Sequence, residues 1–420
     1  FSNDHSLPFH LTFPVITFTI CNSVVQLFSV NSMRSGRHFL QIPGPTNTPE
    51  RILRAMHRSV IDHRGPEFAE LGLGLLRDLK PVFQTEGRVV IYPASGTGAW
   101  EAALVNVLQP GDQVLMYETG QFSTLWKNMA TKLGYDPIFI AGDWRRGVDA
   151  NLIADALAKD TDHKIKAVCV VHNDTATGIT SDIGAVRAAI DGAAHPALMM
   201  VDTISSLGSI DFKTDAWGVD VVVAGSQKGL MLPPGLSFNA ISEKAWAACQ
   251  AGGDRRSYWD WRDMMTPNDA GYFPYTPATT LLYGLREALD MLAGEGLEQV
   301  FARHERHASA TRAAVESWGL EILAVNPDER SNSLTAVLMP DGQGGDALRA
   351  EILDGFDMSL GTGLNKVADK IFRIGHLGDF NDLMLMGTLS GVEMGMIRAG
   401  VPHQSGGAQS ALKYLADHRI

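Results

Sequence analysis

The sequence predicts an α/β fold, with a large, mostly parallel sheet of the seven-stranded type followed by a smaller α+β region. Three observations predict it. From about residue 87, short apolar runs alternate with helical patterns. Runs such as KAVCVVH and ALMMVD are apolar at nearly every position, as in parallel strands covered on both faces. After about residue 278 the rhythm changes to two long helical patterns and then to shorter mixed elements.

Strands are expected at Arg88–Tyr92, Gln113–Tyr117, Pro137–Ile140, Ile165–His172, Leu198–Asp202 and Val219–Ala224. Helical patterns lie near Gly98–Leu108, Phe122–Leu133, Leu152–Ala158 and Asp182–Asp191. Ser237–Ser242 reads as one more strand, a candidate antiparallel one. The stretch Gly253–Pro277 holds six aromatic residues, in DRRSYWDW and YFPYTP, and reads as an irregular loop. Long loops of that kind are often functional. Thr279–Leu292 and Gly296–Trp318 read as long helices. Strands at Leu320–Ala324, Leu334–Met339 and Lys370–Ile374 follow, with helices at Gly345–Asp354 and Asn381–Ala399. The expected division is a large domain over 33–285, with an N-terminal arm, and a small domain over 286–420.

Composition narrows the partners. The chain has 420 residues, of which 45% are hydrophobic and 20% charged, with a net charge of −12. That acidity argues against nucleic acid or an anionic membrane as the main partner, and leaves small anionic substrates open. Cys21, Cys169 and Cys249 have neither metal-ligand nor disulfide spacing, which suits a reducing, cytoplasmic setting. Residues 1–32 contain no Lys or Arg. They lack the basic start of a signal peptide and, interrupted by Pro14, Asn22, Ser23 and Gln26, the length of a membrane span. The expectation is a non-native or disordered extension ahead of a start at Met33.

Three motifs carry chemistry. Pro93-Ala-Ser-Gly-Thr-Gly follows the strand VVIY and opens a helix. Small residues there let backbone N–H groups approach an anion, and Ser95 and Thr97 add hydroxyls. No Gly-Lys-Ser/Thr follows, so it is not a Walker loop. Asp202 ends an apolar strand, at the sheet edge where α/β ligand sites lie; a residue of this kind alone is more often a helix cap or turn residue than a ligand. Lys228, in Gly-Ser-Gln-Lys-Gly, follows another strand among small and apolar residues. Desolvation there lowers a lysine's pKa and favours the free amine. Any one motif alone is weak. Together, in this order and with Lys228 placed 228 − 202 = 26 positions after Asp202, they supply what pyridoxal 5′-phosphate (PLP) needs. Those needs are a phosphate anchor, a carboxylate for the pyridinium nitrogen and a lysine for the aldehyde.

Beyond that trio, the chain resembles the class V, fold-type I aminotransferases, in particular the serine–glyoxylate and alanine–glyoxylate group. The resemblance runs from about Phe39 to Val401. It rests on FLQIPGPTNTP, PASGTGAWEAAL, HNDTATG, VDTISSLGS, GSQKGLMLPPG, FPYTP and FRIGHLGD. It implies Lys228 as the Schiff-base lysine and Asp202 as partner of the ring nitrogen. Ser95, Gly96, Thr97 and Gln227 would hold the phosphate, completed by Thr276 across a homodimer interface. Phe122 would stack on one ring face, where some relatives have Trp, and Ile204 on the other. Thr175 would meet the ring hydroxyl. Arg373 would clamp the substrate α-carboxylate, with the Gly44 backbone close by. Phe372 and Ile374 suggest a strand that turns Arg373 away from its apolar neighbours.

The implied activity is transamination to glyoxylate from L-serine, with L-aspartate and L-alanine as alternative donors. His57, His63, Arg64 and Tyr275 are candidates to meet the donor side chain. His376 is a further cleft candidate, and no histidine is assigned a catalytic role. A cysteine desulfurase would need a cysteine on a mobile loop and a His before the lysine, where Gln227 stands. A phosphoserine enzyme would need extra basic residues. A non-catalytic binding protein would be expected to lose Lys228 or Asp202. Deleting residues 1–32 should leave thermal midpoint and turnover unchanged; a large loss of either would show that the segment packs on the enzyme.

Overall fold

Alternation of apolar side chains splits the central strands between two cores. In the strand Ile165–Val171, Val168 and Val170 enter one core while Ala167 and Cys169 enter the other. The same holds for Met199 and Val201 against Leu198 and Met200. Such strands can be stable only with helices packed on both faces.

The computed structural model describes residues 36–253 and 256–419. The expectations for residues 1–32, for Met33 and for Cys21 lie outside the described residues. In chain order the elements begin β1 (Phe39–Gln41), α1 (Glu50–Met56), α2 (Pro66–Phe83), β2 (Arg88–Tyr92), α3 (Gly96–Val107), β3 (Gln113–Tyr117), α4 (Gln121–Lys132), β4 (Asp136–Ile140) and α5 (Ala150–Lys159). They continue with β5 (Ile165–Val171), β6 (Asn173–Asp174), β7 (Ile179–Thr180), α6 (Ile183–Gly192), β8 (Leu198–Asp202), β9 (Val221–Gly225), β10 (Ser237–Ile241) and α7 (Glu243–Ala251). The rest are α8 (Trp261–Asp269), α9 (Thr279–Glu295), α10 (Leu297–Ser317), β11 (Leu334–Leu338), α11 (Gly345–Phe356), β12 (Met358–Thr362), β13 (Ile371–Gly375), α12 (Asp382–Ala399) and α13 (Gly407–Asp417).

Seven strands form the large sheet in the order β2-β10-β9-β8-β5-β3-β4. Every neighbouring pair is parallel except those made by β10, which runs antiparallel to both β2 and β9. The antiparallel candidate Ser237–Ser242 is therefore confirmed. A second sheet has the order β1-β12-β13-β11. In it β1 pairs with β12, more than 300 positions later in the chain. The expected boundary at 285/286 falls inside the continuous helix α9.

Local sequence sets the helix ends. Asp149 and Asp182 cap α5 and α6, their carboxylates accepting from the amides of Asn151 and Ala185. Helix α2 starts with Pro66 and buries Phe68, Gly72, Leu75, Leu79 and Val82, spaced three or four apart.

Two expectations are corrected. Gly253–Pro277 is not irregular throughout, because α8 occupies its middle. Asp260 caps that helix through the Arg262 amide, and Trp261, Met264 and Asn268 turn inward at helical spacing. The density of aromatics concealed this period. Leu320–Ala324 is not a strand. It makes one bridge, Ile322 to Val337. The chain then leaves the sheet, and the Val325 amide donates to the Arg145 carbonyl instead. Helices α1 and α2 and strand β1 precede the stretch where the alternating pattern is readable. No helix among the described residues is long and apolar enough to cross a membrane.

Candidate active site

Strands β2, β5, β8 and β9 are mutually parallel through the sheet, so the residues after them emerge at one edge. There they surround a cavity of about 230 Å³. Gly44, Ser95, Gly96, Thr97, Phe122, Thr175, Asp202, Ile204, Gln227 and Lys228 all line it. Of the residues singled out in the sequence for the site, Arg373 and Thr276 do not line it.

One end of the cavity suits an anion. Ser95 is the N-cap of α3 but makes no side-chain cap hydrogen bond. The first-turn amides of a helix have no partner within it, and the helix dipole adds positive potential there. Gln227 lines this end as well, and the NH2 of its side-chain amide is a donor that an anion can use. At Gly96 a Cβ would lie 2.3 Å from Ile204 Cδ1, so the Ile204 side chain would have to move to admit one.

Two buried charges face the same space. Lys228 is only 7% exposed, and its Nζ donates to the Pro43 carbonyl at 2.5 Å. Burial, reinforced by the Arg373 charge and opposed by Asp202, lowers the Lys228 pKa to about 7. Asp202 is 3% exposed. Burial raises its pKa to about 7, with Asp174 adding to the rise and the Ile204 amide, Trp100 and Lys228 opposing it. Its Oδ1 accepts from the Ile204 amide at 2.7 Å, and its Oδ2 from the Trp100 indole N–H at 3.0 Å. Gly44, at φ +99°, passes so close to the lysine that a Cβ would lie 2.4 Å from Lys228 Cδ.

Arg373 sits just behind this wall. Phe372 and Ile374 enter the core under α10 and α12, while Arg373 turns the other way, as the alternation suggested. Its Nε donates to the Thr362 carbonyl at 2.7 Å and its Nη1 to the Thr175 carbonyl at 2.5 Å, which fixes the guanidinium plane. Burial pulls its pKa down to about 10. Thr276 is exposed and follows Tyr275, whose hydroxyl donates to the Ile91 carbonyl. His57, His63, Arg64, Tyr275 and His376 do not line the cavity. His376 is fully buried and bonds Thr335.

Sequence reasoning missed three contributors. Trp100, four positions after Gly96, shares its helical face, and that spacing was the available signal. Pro43 contributes a carbonyl and leaves no side-chain signal. Asp174 is fully buried and caps α4 from outside. Its carboxylate accepts from the amides of Ala176 at 3.0 Å and Ser123 at 3.4 Å, and from that of Phe122. The N-cap of α4 is Gly120, which offers no side chain; a Cβ there would lie 2.5 Å from Asp174 Cγ.

The model of the family described as Aminotransferase class-V matches residues 38–365. The chain belongs to this family. A serine–glyoxylate aminotransferase of Methylorubrum extorquens is 49% identical to this class V aminotransferase, covering 92% of this chain and 98% of that protein. An L-aspartate–glyoxylate aminotransferase of Paracoccus denitrificans is 45% identical, over 88% of this chain and 94% of its own length. The crystal structure of a ureidoglycine–glyoxylate aminotransferase from Bacillus subtilis superposes with a TM-score of 0.84 at 27% identity, covering 92% of this chain and all of that one. The fold is accordingly that of the PLP-dependent, fold-type I transferases.

The buried lysine has a measurable consequence. Its pKa falls from the ordinary 10.5 to about 7 on folding. Between those values the unfolded chain binds more protons than the folded one, so stability rises with pH. Lys228→Met removes the burial cost. The cofactor-free variant should melt above cofactor-free wild type at pH 8, and the gap should shrink as pH approaches 10. A gap independent of pH would show that Lys228 is not desolvated.

Proposed function

We propose that this class V aminotransferase transfers the amino group of L-serine to glyoxylate, giving hydroxypyruvate and glycine, with PLP held by Lys228. The observation that carries the reading is a buried lysine and a buried carboxylate sharing one cavity with an uncapped helix N-terminus. The residues fit the cofactor. Ser95, Gly96, Thr97 and the side-chain NH2 of Gln227 suit a phosphate, and Thr175 suits a ring hydroxyl. Phe122 and Ile204 supply apolar walls. Bound PLP would supply an aldehyde for amines and a protonated ring that takes up negative charge from the substrate Cα.

The protein's own groups do the rest. Near neutral pH a large share of Lys228 is the free amine, because burial and Arg373 both disfavour its charge. Its Nζ, held by the Pro43 carbonyl and freed when the amino donor takes its place, would take the proton from the substrate Cα and deliver it to the carbon that had carried the aldehyde. Asp202, held by two donors, keeps the ring nitrogen protonated. Arg373, its plane fixed by two carbonyls, binds the α-carboxylate by a paired contact.

Glyoxylate as acceptor rests on the named activities of the relatives, and serine ranks ahead of aspartate on the same ground. Among the described residues a desulfurase reading lacks its cysteine: Cys169 and Cys249 are buried, outside the cavity, with thiol pKa values pushed up by burial. Those two buried, unpaired thiols suit a reducing compartment. Lys228→Ala should cut turnover by about 10³-fold or more with the fold retained; normal turnover without added amine sinks the assignment. Among L-serine, L-aspartate and L-alanine with glyoxylate, kcat/KM should rank serine first. A strong aspartate preference that collapses in Arg64→Gln would reverse that ranking and name the cation responsible.

We further propose a homodimer in which Thr276 completes the partner's phosphate site. The loop that bears Thr276 is stiffened by Tyr275 stacking on Tyr258 and Phe273, which suits presentation of an exposed residue to a neighbour. Mixing Lys228→Ala and Thr276→Ala subunits at limiting PLP should give hybrids more active than either parent. No gain despite proven subunit exchange counts against a shared site.

A further inference from the structure

Trp100 is buried, at 2% exposure, and borders the same cavity as Asp202. Its ring stacks on Trp126, with centroids 5.9 Å apart and planes at 13°, and leans on Phe122 at 6.4 Å. Packing alone would explain the ring but not the hydrogen bond. Trp126, also buried in the same stack, has no partner for its indole nitrogen among the described residues. Trp100 instead donates to Asp202 Oδ2 at 3.0 Å, across 102 residues of sequence. The Ile204 amide holds the other oxygen. The two donors act on a carboxylate whose surroundings otherwise oppose its charge: burial is the larger factor, and Asp174 adds to it, while Lys228 helps the charged form.

We propose that Trp100 is the positioning residue of Asp202: its indole N–H fixes the plane of the carboxylate and holds it in the charged form, while its ring ties that carboxylate to the aromatic wall at Phe122. The consequence for the reaction rests on reading Asp202 as partner of the cofactor ring nitrogen. A hydrogen bond to a buried charged group stabilises that charge. Without it Asp202 binds its proton more tightly, the ring nitrogen loses its own, and the imine nitrogen becomes more basic.

Two measurements separate the inference from the reading beneath it. The first uses the cofactor-free chain labelled with 5-fluorotryptophan. The Trp100 signal, assigned by its loss in Trp100→Phe, should titrate near pH 7 in wild type and stay flat in Asp202→Asn. A flat signal in wild type overturns the link. A signal that still titrates in Asp202→Asn, driven by Lys228, also overturns it. The second uses PLP-loaded protein and follows the pH midpoint of the visible absorbance band. Trp100→Phe should raise it by about one pH unit, and Asp202→Asn should move it in the same direction. If Asp202→Asn moves the midpoint and a folded Trp100→Phe does not, the Trp100 inference fails alone. If neither moves it, the Asp202 reading fails and takes the inference with it. Should Trp100→Phe load cofactor poorly, the fluorine titration still decides the link.

Discussion

Burial of four ionisable side chains at one edge of the large sheet is the constraint on which the site depends. Asp174, Asp202, Lys228 and Arg373 are each at most 7% exposed. An isolated charge in such a place would be too costly to keep. Two carboxylates and two cations offset one another, and each is also held by backbone groups. Pro43 accepts from Lys228, Thr175 and Thr362 accept from Arg373, and the amides of Ile204, Ser123 and Ala176 donate to the two carboxylates. The residual imbalance appears as pKa values drawn toward neutrality for Lys228 and Asp202. The proposed proton-moving role of Lys228 requires that state near neutral pH.

Backbone is brought to these groups by removing side chains. Gly44, Gly96 and Gly120 each occupy a place where a Cβ would strike Lys228, Ile204 or Asp174. The glycine-rich look of the chemical motifs thus has three different causes. At Gly44 it is approach to an amine, at Gly96 clearance for the Ile204 side chain, and at Gly120 room for a carboxylate that caps a helix from another strand.

Much of the cavity wall was legible because its pieces follow strand ends. Parallel strands deliver their C-terminal residues to one edge, so Ser95, Asp202 and Lys228 could be brought together from order alone. The α8 helix was missed because six aromatics in 25 residues obscure a helical period. Arg373 could be placed on a strand facing away from Phe372 and Ile374, yet its setting behind Thr175 depends on how the second sheet meets the first.

The sequence by itself determined the alternation of strands and helices, the two-faced burial of the central sheet and which strand-end lysine, carboxylate and glycine-rich turn line one cavity. Those properties are local: a run of apolar residues, a strand end, a helix start. Only the tertiary structure decided that β1 joins β12, that Asp174 caps a helix beginning some fifty residues before it and that Trp100 donates to Asp202. These contacts join segments far apart in sequence, and no local periodicity records them. Their strength comes from exclusion of water, which exists only once the two sheets and their helices have closed around the site.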